Sequence, residues 1–258
     1  MKTLLFVIAF FTLSANAQTF DHSHAAWSAL LKKHVVLVDG GNASQVRYAE
    51  FTKDRAVLKG YLEDLSKVQE ADFNSWSKSQ RMAFLINAYN GFTVELILAN
   101  YPLKSIKDIG SDLFSNRWKK KFFKLFGQDS YLDQVEHEML RRPGLYNEPR
   151  VHFAVNCASI GCPMLREEAY VGERLEAQLE EQTRRFLSDR SRNRLAGGRL
   201  EVSKIFDWFK EDFGVRERFF AKYGAQLAEG AEQQKLVAEG KAPLSFLDYD
   251  WSLNDARR

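Results

Sequence analysis

Residues 77–102 read SKSQRMAFLINAYNGFTVELILANYP. Met82, Leu85, Tyr89, Phe92 and Leu96 recur at spacings of three and four, the period of an α-helix. Ser77 and Gln80 form the Ser-x-x-Gln pattern of a capping box, and Tyr101-Pro102 stops the helix. The other faces carry Ala83, Phe84, Ala88, Val94 and Leu98, so the helix is apolar nearly all round. A helix of that kind is buried. Its amides, Asn87 and Asn90, then lie in the interior or on a pocket wall, where each finds partners or costs about 1–3 kcal/mol. Either they tie down neighbouring loops or they meet a ligand.

The flanking segments supply lighter elements. His24 to Val38 predicts a helix running into a short apolar strand, Val35–Val38, which Asp39-Gly40-Gly41 closes as a turn. Tyr48 to Val68 predicts a helix. Asp133 and Glu136 predict a second capping box, opening a helix that Pro143-Gly144 ends. Residues 151–156 predict a strand, and Gly172 to Asp189 an amphipathic helix with Leu175, Leu179, Phe186 and Leu187 on one side. Gly197-Gly198 turns into a strand at Leu200–Val202. Ser203 then caps a helix whose stripe of Ile205, Phe209 and Phe213 reads as core. The aromatic tail 247–254 is expected to pack back onto the body. No linker or composition break interrupts this order. The expected fold class is α+β, helix-rich: a single compact domain with a small, mostly antiparallel sheet.

The chain has 258 residues, enough for one large domain or two small ones, and its 20 Phe can fill a substantial core. Residues 1–17 read as a signal peptide: Lys2, an apolar run from Leu4 to Leu13, then Ala15-Asn16-Ala17 as small residues for cleavage before Gln18. The organisation expected is a signal peptide over 1–17, a lead-in over 18–44 and the main domain over 45–258. No segment after the leader is expected to span a membrane, and the mature protein is expected to be periplasmic or secreted. Loss of Lys2 lowers the formal charge from +3 to +2, too small a balance to imply a nucleic acid partner. The basic run Arg117 to Lys124 reads as a solvated face with Trp118, Phe122 and Phe123 turned inward.

Residues 151–165, VHFAVNCASIGCPML, hold both cysteines and one of the five histidines. In an oxidising compartment, Cys157 and Cys162 are each other's sole candidates for a disulfide, and so short a loop would contribute about 2 kcal/mol. A nucleophilic cysteine instead needs a base to make its thiolate. His22 and His24 fall in a mobile start of the mature chain, and His34 reads as a surface residue. In a strand, His152 pairs with Asn156 and faces away from Cys157. His137 could approach from a separate helix, making Cys157, His137 and Asn156 (or Asn87) a possible triad. A structural role for His137 in the core is the competing reading. Two cysteines without a His-x3–5-His pair argue against a zinc site, so no metal is expected. The spacing is not Cys-x-x-Cys, and no phosphate-binding glycine loop or nucleophile elbow occurs, so no cofactor is expected.

Several motifs also fall into a known order. Phe84 to Asn90, Leu132 to His137 with Leu140-Arg141, Arg150 to Pro163, Ser203 to Phe206 with Trp208 and Asp212-Phe213, and Tyr249 to Asn254 together resemble the DUF547 family. The resemblance covers roughly 45–254 and is to an exported bacterial branch of that family. It implies no activity and assigns no residue a role. Three readings follow. One is a pocket binding a small polar ligand, a peptide or a small thiol such as glutathione, through Asn87, Asn90, Arg141, Arg150, His152 and Arg166. Another is a cysteine-dependent hydrolase or acyl or thiol transferase with Cys157 as nucleophile and His137 as base. The third is an interaction protein with a protein partner and a disulfide-clamped turn.

Overall fold

The central helix, Lys78–Asn100, organises a computed structural model that describes residues 20–110 and 117–256. The leader expected at residues 1–17 lies outside the described residues. The capping box forms as expected: Gln80 N donates to Ser77 Oγ at 3.2 Å and Ser77 N to Gln80 Oε1 at 3.0 Å. Every residue from Met82 to Val94 is buried. By length and composition alone this helix could cross a membrane, but 89% of its most apolar window is buried inside the protein. A core helix needs the same composition as a membrane span, and here protein supplies the apolar surroundings. Helix Arg55–Lys67 packs against it at Gly91, where an added Cβ would stand 3.0 Å from Leu62 Cδ2.

Sheets are small. Val35–Val38 pairs antiparallel with Ala43–Val46, and Phe123–Leu125 with Gln128–Ser130. Arg199–Val202 lies between Arg194–Ala196, antiparallel, and Leu244–Phe246, parallel. The helix-rich α+β class is thus what forms, with the strands spread over three sheets among the described residues.

Two apolar clusters make the interior. The larger surrounds the central helix; the smaller is built on Phe153, Phe186, Phe206, Phe213 and Phe220. Residues 151–155 straddle them, and this explains a correction. The strand expected there is one turn of helix, Val151–Ala154, closed by Val155 N donating to Val151 O at 3.1 Å. Val151 and Ala154 belong to the larger cluster and Phe153 to the smaller. A helical turn can send near neighbours to different cores at 100° steps, so packing overrides the β-branched pattern.

Two further expectations change. Asp133 caps nothing through its side chain and is itself helical. The helix has already begun, with Gln134 N and Val135 N donating to Tyr131 O. Gln134–Leu140 winds as a π-helix, with Arg141 N reaching back to Glu136 O at 3.0 Å. The helix after Ser203 stops at Trp208 and does not carry the stripe to Phe213.

His24 and His34 are buried, against expectation. His34 stacks on Phe51 and meets Asp54 Oδ2 at 2.6 Å. His24 meets Tyr61 Oη at 2.8 Å, and burial pushes its pKa from 6.5 down to about 4. The unfolded chain therefore binds more protons between pH 6.5 and 4. His24's stability contribution is complete above pH 6.5 and is lost as pH falls through 4, a change of about 3 kcal/mol. Urea unfolding across that range should show wild type losing more stability than His24→Gln. Equal losses would refute the assignment.

Candidate functional site

A cavity of about 200 Å³ opens where the π-helix, the turn 151–154, the cysteine loop, Ile205–Trp208 and the tail converge. Its wall includes Cys157, Cys162, His137 and His152, with the carboxyls of Asp133 and Glu136. Trp118, Trp208, Phe209, Tyr249 and Trp251 make the rest largely aromatic. Trp208 and Trp251 stack with ring centres 5.9 Å apart, and Tyr249 packs 4.6 Å from Trp251.

The tail is fastened to the cysteine loop by backbone. Ile160 N donates to Ser252 O and Gly161 N to Asp250 O, both at 2.8 Å. Gly161 must lack a side chain, since a Cβ there would stand 2.9 Å from Asp250 N and from Tyr249 Cδ1. Ala158 takes the left-handed conformation at φ 63°, which turns the chain after Cys157. This close seating carries Tyr249 to the thiol. Cys157 Sγ lies 3.1 Å from Ser159 Oγ and 3.3 Å from Tyr249 Oη. Ser159 Oγ and Tyr249 Oη are themselves 3.2 Å apart, so both hydroxyls gather at the sulfur.

Both cysteines are free thiols, so the expected disulfide is corrected. Cys162 Sγ instead accepts a hydrogen bond from the Cys157 amide at 2.9 Å. The two thiols are poised differently. Hydrogen bonding from Cys162, with help from Ser159 and Tyr249, brings Cys157 down from 9.0 to about 7 against the opposing effect of burial. Burial pushes Cys162 up.

The strand argument that turned His152 from Cys157 falls with the strand: both line the cavity. His152 Nε2 lies 2.6 Å from Asp212 Oδ2. A carboxylate accepts, so Nε2 carries the hydrogen and Nδ1 is the ring's remaining lone pair. Burial lowers the His152 pKa and keeps the ring neutral. Burial would raise Asp212, yet hydrogen bonds from His152 and Arg141 hold its carboxyl well below the usual range. His152 also stacks on Phe209 at 4.1 Å. Phe209, expected in the core, is therefore a pocket residue.

His137 is differently engaged. Arg141 Nη1 donates to its Nδ1 at 2.6 Å, while Nε2 stands 3.9 Å from Asp133 Oδ1. Guanidinium offers no lone pair, so Nδ1 accepts and the hydrogen sits on Nε2. His137 is a donor in this arrangement. Arg141 also reaches Asp212 through Nε at 2.5 Å, linking the π-helix to the His152 pair. Burial raises Glu136, incompletely offset by His137 and by its hydrogen bond with Tyr89, and raises Asp133 too.

The other sequence candidates lie off the cavity wall. Asn87 clamps Tyr170, donating to its O at 2.7 Å and accepting from its N at 3.0 Å. Asn90 donates to Ala154 O at 2.9 Å and accepts from Asn156 N at 2.8 Å. Asn156 donates to Pro163 O at 2.7 Å and accepts from Ala158 N. Arg150 is paired with Glu148 and Glu176, and Arg166 with Glu168 and Glu181. No group of three or more His, Cys, Asp or Glu among the described residues could hold a metal ion. Sequence reasoning missed Tyr249 and the tryptophans as pocket residues, and Ser159 and Asp212 as the partners of Cys157 and His152; the tail had drawn notice as an aromatic cluster, without a role.

No curated protein and no solved structure matches the chain. Residues 73–187 match the family model described as "Protein of unknown function, DUF547", a span holding the central helix, the π-helix and the cysteine loop. The chain carries a DUF547 domain.

Proposed function

We propose that the cavity is a cysteine-dependent group-transfer site, in which Cys157 attacks an electrophilic carbon or sulfur of a small ligand. The observation that carries this reading is the Cys157 sulfur on the cavity wall, within reach of two hydroxyls, Ser159 and Tyr249. His152, oriented by Asp212, is the proton-accepting group in preference to His137, whose Nδ1 is occupied by Arg141. The ligand is largely apolar around its electrophile, since aromatic rings form most of the wall. A peptide or a small thiol such as glutathione would enter as the acyl or thiol partner. A pocket serving only to hold a polar ligand has less support, because Asn87, Asn90, Arg150 and Arg166 already have partners elsewhere.

Intact-mass kinetics with an activated thioester tests this. Wild type should form a covalent acyl adduct that Cys157→Ala cannot form. His152→Gln should slow adduct formation by about 10²-fold or more and flatten its pH dependence. Acylation of Cys157→Ala at the wild-type rate would sink the proposal. On sequence grounds we further propose that residues 1–17 are removed on export, leaving Gln18 as the first residue; N-terminal sequencing of protein recovered outside the cytoplasm would check this.

A further inference from the structure

We propose that Cys157 and Cys162 work as an attacking and a resolving thiol on a small disulfide. The inference rests on the reading of Cys157 as nucleophile and extends it by naming the substrate class. Three observations carry it. First, the sulfurs are neighbours: Cys162 Sγ lies 2.9 Å from the Cys157 amide nitrogen, only three bonds from Cys157's own sulfur. Second, access is unequal. Cys157 is half-buried at the cavity, whereas Cys162 is only 5% exposed, with its thiol directed toward Val155 O. A ligand meets Cys157 first, and Cys162 is placed to meet a sulfur already attached to Cys157. Third, the loop fixes the pair. Cys162 N donates to Ser159 O at 3.1 Å, and Gly161 is pressed under Asp250, so the two cysteines return to one place despite a longer spacing than Cys-x-x-Cys.

The chemistry balances in two displacements. The Cys157 thiolate attacks one sulfur of R–S–S–R; that S–S bond breaks and R–S⁻ leaves, taking up a proton. Cys162 then gives up its proton and attacks Cys157 Sγ. The mixed disulfide breaks, and the second R–S⁻ leaves and is protonated. The substrate disulfide gains two electrons and becomes two thiols, while the protein dithiol becomes an internal disulfide. Two equivalents of an external thiol restore the dithiol by the reverse exchange. Unequal thiols suit this sequence, because the accessible, more acidic one attacks and the shielded one waits.

Reduced protein mixed anaerobically with one equivalent of dithiodipyridine tests it, read by pyridinethione absorbance and intact mass. Wild type should release two pyridinethiones per reagent consumed and end lighter by two hydrogens. Cys162→Ser and Cys162→Ala should release one and stop as a stable pyridyl adduct; Cys157→Ser should release none at the same rate. Each variant's thermal melt establishes that it is folded. If wild type also stops at one release with a stable adduct on Cys157, the resolving role of Cys162 is overturned while the nucleophile reading stands. If wild type releases nothing although both thiols titrate after unfolding, both fall.

Discussion

Iodoacetamide added to the native, reduced protein is expected to alkylate Cys157 and spare Cys162. The labelling rate should rise with pH and level off above a midpoint near about 7, where the hydrogen bonds to Cys157 bring it. An unperturbed cysteine has its midpoint at about 8.5, so the thiolate fraction at neutral pH should be about fifteenfold higher than in a free thiol. The donors are separable. Tyr249→Phe removes one hydroxyl at 3.3 Å without removing the ring that packs on Trp208 and Trp251, and should move the midpoint upward by about one pH unit. Ser159→Ala should act in the same direction. Peptide mapping after a short pulse reads the site, and a pulse series from pH 5 to 10 reads the midpoint. Equal labelling of both cysteines, or a Tyr249→Phe midpoint unchanged from wild type, would remove the basis for treating Cys157 as an activated thiol.

What the sequence disclosed follows the range of the interactions involved. The central helix was legible because its signals are local: the Ser77/Gln80 box and an apolar surface on every side. The π-helix was legible only as a helix, since its start at Tyr131 and its 136-to-141 hydrogen bond depend on packing rather than on Asp133. Residues 151–156 misled because their β-branched pattern is overruled by the division of Val151 and Phe153 between two cores. The site was half legible. Cys157, Cys162, His137 and His152 could be picked out as residue types, but their partners come from far along the chain: Asp212 is 60 residues from His152, and Tyr249 is 92 from Cys157. One cue was present and unused. Arg141 stands four residues after His137, the spacing at which helical side chains meet, and that contact occupies the nitrogen a base would need.

Replacing Asn90 by Leu should destabilise the fold strongly from outside the cavity itself. Asn90 is 2% exposed and holds both sides of one bend, donating to Ala154 O and accepting from Asn156 N. Leucine leaves a buried carbonyl and a buried amide without these partners, at about 1–3 kcal/mol each, so a loss of about 4 kcal/mol is expected. Asn87→Leu provides the control. It strands the carbonyl and amide of Tyr170 in the same way, one turn earlier on the same helix, and should cost a similar amount. The two variants should part company at the thiol. The bend held by Asn90 leads directly into Cys157, whereas Tyr170 lies beyond the cysteine loop. Asn90→Leu should therefore displace Cys157 from Ser159 and Tyr249 and raise its alkylation midpoint, while Asn87→Leu, examined at a temperature where it remains folded, should keep the wild-type midpoint. Urea denaturation measures the first effect and pulsed alkylation the second. If both variants lose stability equally and neither moves the midpoint, the amide of Asn90 supports the fold but does not place the sulfur.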